Sequence, residues 1–153
     1  MRRNDKEIKD HEIILKVLNQ SETCRIALCN GLKPYIVPMN FAYHDNALYL
    51  HSATEGRKIN ILRKNNNISF QMDVKTQVVT NEIPCNWGMK YLSVIGSGKA
   101  QFIQDAMEKK EAMDIIMAKY SSESIFEYSG EALNSILVIK IEIEEMTGKK
   151  SGY

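Results

Sequence analysis

An alternating run of apolar residues near the end of the chain is the feature that most limits its fold. Side chains of a β-strand point to opposite faces in turn, so every second residue shares a face. In residues 135–145 one face is aliphatic, while the other carries charges at Lys140, Glu142 and Glu144. The pattern predicts a strand whose aliphatic face lies against the core. The residues on that face are Leu137, Ile139, Ile141 and Ile143.

Further segments alternate in the same way or are rich in strand-forming residues. They are residues 23–29, 34–43, 46–50, 68–73 and 91–102, with a short strand at 78–79. The connections between them are too short for repeated helical crossovers, which parallel strands need. We therefore predict a mainly β fold of about six or seven mostly antiparallel strands. A small β-barrel with flanking helices fits this order better than a parallel sheet.

Apolar residues at helical spacing predict three helices. The first would begin at a cap on Asn4 or Asp5 and end near Gln20. The second would begin at Gly56 and end at the run of asparagines at 65–67. The third would follow a cap on Asp105 and carry its apolar residues on one inner face. That face is predicted to hold Met107, Met113, Ile116, Met117 and Tyr120.

Length and composition indicate an ordinary globular protein. The 153 residues are expected to form one domain, 1–153, and the chain is 44% hydrophobic and 25% charged. A net charge of +1 gives no electrostatic argument for nucleic acid or a membrane surface as partner. No apolar run approaches the ~20 residues of a spanning helix. The first residues lack the apolar stretch of a signal peptide, so we expect a cytoplasmic protein.

The three cysteines, Cys24, Cys29 and Cys85, match no zinc-ligand spacing, and we expect no metal site. Cys24 and Cys29 lie in a predicted strand, where they are small core or edge residues. Cys85 lies in a predicted loop, residues 84–88, with no base nearby in the sequence to activate it.

Residues 51–58, His-Ser-Ala-Thr-Glu-Gly-Arg-Lys, lie where a predicted strand leads into a predicted helix. A hydroxyl at Ser52, a glycine and the two cations Arg57 and Lys58 make a plausible phosphate cradle there. The start of a helix offers unpaired N–H groups, Arg can grip phosphate oxygens in a fork, and Lys adds a point charge. The same residues are also typical of a solvated helix start without a ligand.

Pro38 interrupts the strand predicted at residues 34–43. Proline has no N–H to donate to a ladder, so this strand is expected at a sheet edge or broken at that point. Backbone groups near Met39 and Asn40 are then free to contact something other than a neighbouring strand. The Asn30-Gly31 pair before this strand predicts a hairpin turn.

Taken in order, these motifs resemble the FMN-binding split-barrel proteins related to pyridoxamine-phosphate oxidase, and within them the nitroimidazole-resistance (Nim) branch. The resemblance covers almost the whole chain. The matching stretches are MRR (1–3), PYIVPMNF (34–41), LYLHSA (48–53), EGRK (55–58), CNW (85–87), YLSVIGSGKA (91–100) and TGK (147–149).

The resemblance implies a six-stranded antiparallel split barrel that forms a homodimer, with FMN in clefts contacted by both subunits. Arg57, Lys58 and Ser52 would hold the phosphate. The flavin ring would lie along Val37, Pro38, Met39, Asn40 and Phe41. Tyr91 and Ser93 would contact the ring or the ribityl chain from the next barrel strand.

His51 would lie close to the flavin, and it is the candidate catalytic residue, able to donate a hydrogen bond or a proton to a substrate. Its strand position alone favours a packed or solvent-facing side chain over a site residue. Three roles are left open for Trp87: covering the edge of the flavin, anchoring the dimer interface, or forming the lid of a core. The role of Lys149 is also left open.

The implied activity is electron transfer from a reductant such as NAD(P)H, through FMN, to a small acceptor such as a nitroimidazole. An alternative of another class is a flavin- or haem-binding sensor or carrier without efficient turnover. A third reading is a pyridoxamine-phosphate oxidase. The chain is short for that enzyme, and its segment 147–153 offers Lys149 and Lys150 in place of the Arg-x-His type segment that binds the substrate phosphate there.

Overall fold

Eight antiparallel strands form one curved sheet in the structure, a computed structural model that describes residues 3–123 and 125–153. The sheet order is β3-β2-β6-β7-β8-β5-β4, and β1 pairs with β8. Of the MRR stretch, Met1 and Arg2 lie outside the described residues. The strands are β1 Glu7–Ile8, β2 Cys24–Asn30, β3 Lys33–Met39, β4 Ala42–His44, β5 Ala47–Ala53, β6 Asn67–Val79, β7 Gly88–Ile103 and β8 Ile136–Ser151.

The sheet is a split barrel, as the resemblance implies. Its two outermost strands, β3 and β4, are joined in the chain by Asn40 and Phe41 but lie at opposite ends of the strand order. The sheet therefore curls until its edges approach without pairing. The resemblance implies six strands, and the residue patterns predict about six or seven; β1 and β4, with two and three residues, bring the number to eight in the described residues.

In the part of the chain that the structure describes, four helices flank the sheet: α1 His11–Gln20, α2 Arg57–Leu62, α3 Ala106–Tyr120 and α4 Gly130–Asn134. The predicted start of the first helix is wrong. Asn4–Lys6 form a 3₁₀ turn, and Glu7 and Ile8 pair with Lys149 and Gly148 on β8. Pairing with a distant strand overrides the local capping signal, and the helix is capped by Asp10, whose carboxylate accepts from the Glu12 N–H at 2.9 Å.

The main core fills the inside of the curled sheet, and α1 covers it with Ile14, Val17 and Leu18. The aliphatic face predicted for β8 lies against this core, with Ile139 and Ile141 almost fully buried. Other large buried side chains there are Phe41, Phe70, Leu48, Leu50, Ile59, Met72 and Val94.

A second, smaller core lies on the other side of β8, beneath α3. Ala112, Met113 and Ile116 of α3 pack there against Val138, which is fully buried. The prediction that Met107 shares this face is wrong, since Met107 is 74% exposed. At 100° per residue, nine positions separate Met107 from Ile116 by half a turn, so the two point in opposite directions.

The β6 and β7 strands form a long hairpin that extends beyond the core. The two strands predicted at 68–73 and 78–79 are one strand, β6, with a bulge between Val74 and Gln77 that the sequence did not reveal. The predicted loop at residues 84–88 contains a 3₁₀ turn. Trp87 is 55% exposed there and donates from Nε1 to the Asn81 carbonyl at 2.7 Å, so it is not the lid of a core.

Cys24 is buried, whereas Cys29 and Cys85 are exposed thiols. Across residues 3–123 and 125–153, no group of three or more His, Cys, Asp and Glu side chains is placed to hold a metal ion. Within the same residues, no helix has the length and apolar character needed to cross a membrane.

Gly98 allows β7 and β8 to approach at a bulge, where the pairing register shifts between Ser97 and Gly98. A Cβ at this position would overlap the Glu142 carbonyl oxygen, which is backbone and cannot rotate away. We predict that Gly98→Ala lowers the free energy of unfolding by about 1–3 kcal/mol, measured by urea denaturation. Gly88→Ala is the matched control, because a Cβ at Gly88 meets nothing within 4 Å. Equal stabilities for the two variants would contradict this account.

Candidate functional site

A cleft of about 570 Å³ lies where β5 ends and α2 begins. Its walls are residues 51–53 of β5, residues 55–58, Tyr35 of β3, and residues 135–136 at the start of β8. The volume is in the range of small-molecule sites. A larger cavity of about 650 Å³ lies between α3 and the sheet, but acidic residues dominate its charged lining, with Lys140 as the cation. The smaller cleft is the better candidate for an anionic ligand.

The Arg57 guanidinium lies over the ring of Tyr35, with 4.5 Å between its central carbon and the ring centroid. This cation–π contact holds a flexible side chain at the cleft and leaves the edges of the guanidinium available for hydrogen bonds. It also joins α2 to β3. Tyr35 was not singled out as a site residue from the sequence, because alternation fixes its face but not which cation lies above it.

Lys58 supplies the second cation from a half-buried position. Its side chain lines both the cleft and a small apolar cavity beside Leu50 and Leu62. Burial lowers the pKa of the Lys58 ammonium below its usual range. A bound anion would raise the pKa of this ammonium again, because a nearby opposite charge favours the charged form.

The loop before α2 depends on Gly56, whose φ of 119° is rarely adopted by residues with a side chain. Gly56 precedes Arg57 at the helix start, and its carbonyl accepts from the Asn60 N–H at 3.0 Å. Because α2 has six residues, its dipole is smaller than the sequence suggested. Most of the positive charge of the cleft therefore comes from the two side chains, and Glu55 lies in the same lining as an opposing carboxylate.

Ser52 and His51 both reach the cleft, from opposite faces of β5. Ser52 pairs with Leu137 and shares the buried inner face, while His51 pairs with Val138 and is exposed. The cleft meets both side chains because it wraps around the end of the strand. Ser52 is thus beside the cations, and His51 is at the rim, open to a second molecule.

The segment predicted to lie along a flavin ring, residues 37–41, divides between two environments. Val37 and Met39 face the inside of the sheet, since they pair with Ile26 and Cys24 of the inner face. Pro38 and Asn40 are exposed, and Pro38 lies on an edge strand, as predicted. Phe41 is fully buried.

The Phe41 backbone is held by the C-terminal turn of α3. Its N–H donates to the Tyr120 hydroxyl at 2.9 Å, so a backbone group next to Asn40 contacts something other than a neighbouring strand, as expected from Pro38. The Lys119 ammonium lies 3.3 Å from the centroid of the Phe41 ring and donates to the Leu18 carbonyl at 3.0 Å. Burial lowers the pKa of Lys119 to about 8, with a smaller opposing effect from Cys24.

Tyr91 and Ser93 lie apart from this cleft, on the outer face of β7. Ser93 is buried among neighbouring side chains, donating from Oγ to the Met72 carbonyl at 3.2 Å. It also accepts from Gln71 Nε2 at 3.4 Å, and Gln71 in turn donates to Asp73 at 2.7 Å. Lys149 Nζ lies 6.0 Å from the centroid of the Tyr91 ring. Within one chain, these residues do not meet Arg57 and Lys58.

A comparison with protein families gives one match over most of the chain. The family model described as Pyridoxamine 5'-phosphate oxidase covers residues 10–150. A curated relative, Uncharacterized protein RA0666 from Rhizobium meliloti (strain 1021), is 38% identical over 56 residues. That match spans 37% of this chain and 36% of the relative, so it covers little more than a third of either protein.

Solved structures with the same fold include a candidate 5-nitroimidazole antibiotic resistance protein from Bacteroides thetaiotaomicron. It is 37% identical with a TM-score of 0.85, covering 94% of this chain and 86% of its own. A FAD-binding protein from Mesorhizobium loti is 25% identical with a TM-score of 0.71, covering 96% of this chain and 98% of its own.

The lowered pKa of Lys119 has a consequence for stability. In the unfolded chain the Lys119 ammonium keeps its proton up to its ordinary pKa of 10.5, whereas in the folded state it loses the proton above about pH 8. Between these pH values the unfolded state therefore binds more protons than the folded state. The contribution of Lys119 to the free energy of unfolding therefore rises with pH between these values. We predict that the wild-type value minus the Lys119→Met value increases from about pH 8 to about pH 10, measured by urea denaturation. Lys119→Arg, which stays charged, should lack this gain, and a flat difference would contradict the assignment.

Proposed function

Because this chain belongs to the pyridoxamine 5'-phosphate oxidase family, we propose that it is an FMN-dependent oxidoreductase of the Nim-like branch. Electrons would pass from a reductant such as NAD(P)H, through FMN, to a small acceptor such as a nitroimidazole. The proposal treats residues 1–153 as one domain. It rests on the similarity in sequence and structure to the Bacteroides protein and on the chemistry of the cleft.

The observation that carries the proposal is the pair of cations at the end of β5. Arg57, fixed on Tyr35, and Lys58, partly buried, stand in one cleft with the Ser52 side chain. Two cations and a hydroxyl are a donor set suited to a phosphate monoester, which accepts several charged hydrogen bonds. These residues fit the phosphate end of FMN, which supplies the redox chemistry when bound.

The remaining predicted contacts support a homodimer. Tyr91 and Ser93 lie on the outer face of β7, and Ile95 beside them is 51% exposed. A ligand held at Arg57 of one subunit would reach Tyr91 and Ser93 only on a second subunit placed against that cleft. Residues 37–41 would line the ring from the first subunit with their backbone groups, because the side chains of Val37 and Met39 face the inside of the sheet.

His51 is the proposed catalytic residue, because it stands at the rim of the cleft and is exposed to an incoming acceptor. Its imidazole would donate a hydrogen bond or a proton to the acceptor as negative charge develops there. We also propose a cytoplasmic location, which the three free thiols support because cysteines stay reduced in that compartment.

The phosphate assignment predicts a large loss of FMN affinity in the double variant Arg57→Ala with Lys58→Ala. Hydrogen bonds to charged groups are each worth about 1.5–3 kcal/mol, so we expect a loss of several kcal/mol by fluorescence titration. Riboflavin, which has no phosphate, should lose much less. Lys16→Ala with Lys64→Ala removes the same charge from exposed positions and should leave FMN affinity unchanged. An unaltered FMN affinity in the Arg57→Ala, Lys58→Ala variant would contradict the assignment of these two residues to the phosphate.

Turnover is tested by mixing FMN-loaded protein with NADH or NADPH without oxygen, then adding a nitroimidazole. We expect the visible absorbance of the flavin to bleach with the donor and return with the acceptor. His51→Gln should slow the return while leaving FMN affinity unchanged. Flavin that binds but stays oxidised would favour a sensor or carrier, and a Soret band in the purified protein would favour haem. Oxidation of pyridoxamine phosphate would instead favour the vitamin B6 activity.

A further inference from the structure

Asn40 and Phe41 span the opening between β3 and β4, where the curled sheet does not close. β3 ends at Met39, paired with Cys24 of β2, and β4 begins at Ala42, paired with Tyr49 of β5. These two residues therefore carry the chain from one edge of the sheet to the other. No ladder holds such a link, so its backbone groups need partners from elsewhere in the fold.

The Tyr120 hydroxyl supplies partners for the backbone of Phe41. It accepts from the Phe41 N–H at 2.9 Å, and it lies 3.0 Å from the Phe41 carbonyl and 2.7 Å from the Glu22 carbonyl. A phenol has one proton, so it donates to one of these two carbonyls at a time. One hydroxyl thus joins the segment after α1 to the link between β3 and β4.

Packing around this hydroxyl makes the link rigid. The Phe41 ring is fully buried and lies under the Lys119 ammonium, which is tied to the end of α1. Tyr120 itself is 41% exposed, so its ring adds little to the core. The position of the hydroxyl, rather than burial of the ring, is what this residue contributes.

We propose that Tyr120 is a positioning residue for the flavin ring, acting through the backbone of Phe41. The inference rests on the proposed function, in which residues 37–41 line that ring. Tyr120 touches neither cofactor nor substrate in this scheme. It sets where Met39 and Asn40 stand relative to β5, and thereby the geometry of the surface that the ring meets.

Tyr120→Phe tests this by removing one oxygen atom. We expect the FMN dissociation constant to rise about tenfold, equivalent to ~1.4 kcal/mol. We also expect the midpoint potential of bound FMN to shift, because the groups beside the ring move. A role in stability alone would lower the unfolding midpoint of the cofactor-free protein and leave both flavin readouts unchanged.

Tyr128→Phe is the matched control. Tyr128 packs against the second core, and its hydroxyl lies near Asp114 rather than near Phe41. This variant should bind FMN with wild-type affinity and potential. Equal effects of the two substitutions would overturn the proposal, as would a Tyr120→Phe protein with unchanged affinity and potential.

Hydrogen exchange of the Phe41 amide gives a second measurement that needs no variant. We expect slow exchange in the cofactor-free protein and slower exchange once FMN is bound. An amide whose exchange does not respond to bound FMN would overturn the proposal. A wild-type protein that returns all added FMN would instead overturn the proposed function, and the flavin role of Tyr120 with it. If the wild-type protein binds FMN and the Tyr120→Phe variant keeps the same FMN affinity and midpoint potential, only the proposed role of Tyr120 is overturned.

Discussion

The ladder of β8 is the constraint on which the rest of the structure depends. Its sixteen residues pair with β7 along one side and with β5 and then β1 along the other. The start of β8 fixes the end of β5, because Leu137 lies opposite Ser52. The same strand therefore carries the core and positions the first residues of the candidate cleft, so a shift in its register would displace both.

The residues of the candidate site lie at the open edge of the sheet. On one side of the opening stands β3 with Tyr35, and on the other stand β5 and α2 with Ser52 and Arg57. The contact between Arg57 and Tyr35 bridges the two sides near the cleft, while Tyr120 holds the link between β3 and β4. A closed barrel would pair these edges with each other and leave no room between them.

Patterns among neighbouring residues predicted those features of the fold that depend on interactions between neighbouring residues. Alternation in β8, the Asp105 cap and the Gly56 turn before α2 all stand where the sequence placed them. Contacts between distant parts of the chain could not be predicted from the sequence. Residues 7–8 pair with β8 as β1 instead of forming a helical turn, and α3 buries Val138 on the face of β8 that carries the charges. The contacts of Tyr35 with Arg57 and of Tyr120 with Phe41 were not predicted for the same reason, since each joins residues more than twenty positions apart.

The edge strand β3 has a consequence for how molecules of this protein meet one another. Positions 34, 36 and 38 share one edge of the strand, and the prolines at 34 and 38 pair with β2 without donating to it. The amide positions of these three residues therefore point outward, where Ile36 alone keeps an N–H. A strand approaching from another molecule would find one donor where three would be needed for a continuous ladder. The opening of the barrel can thus stay exposed without becoming a template for aggregation.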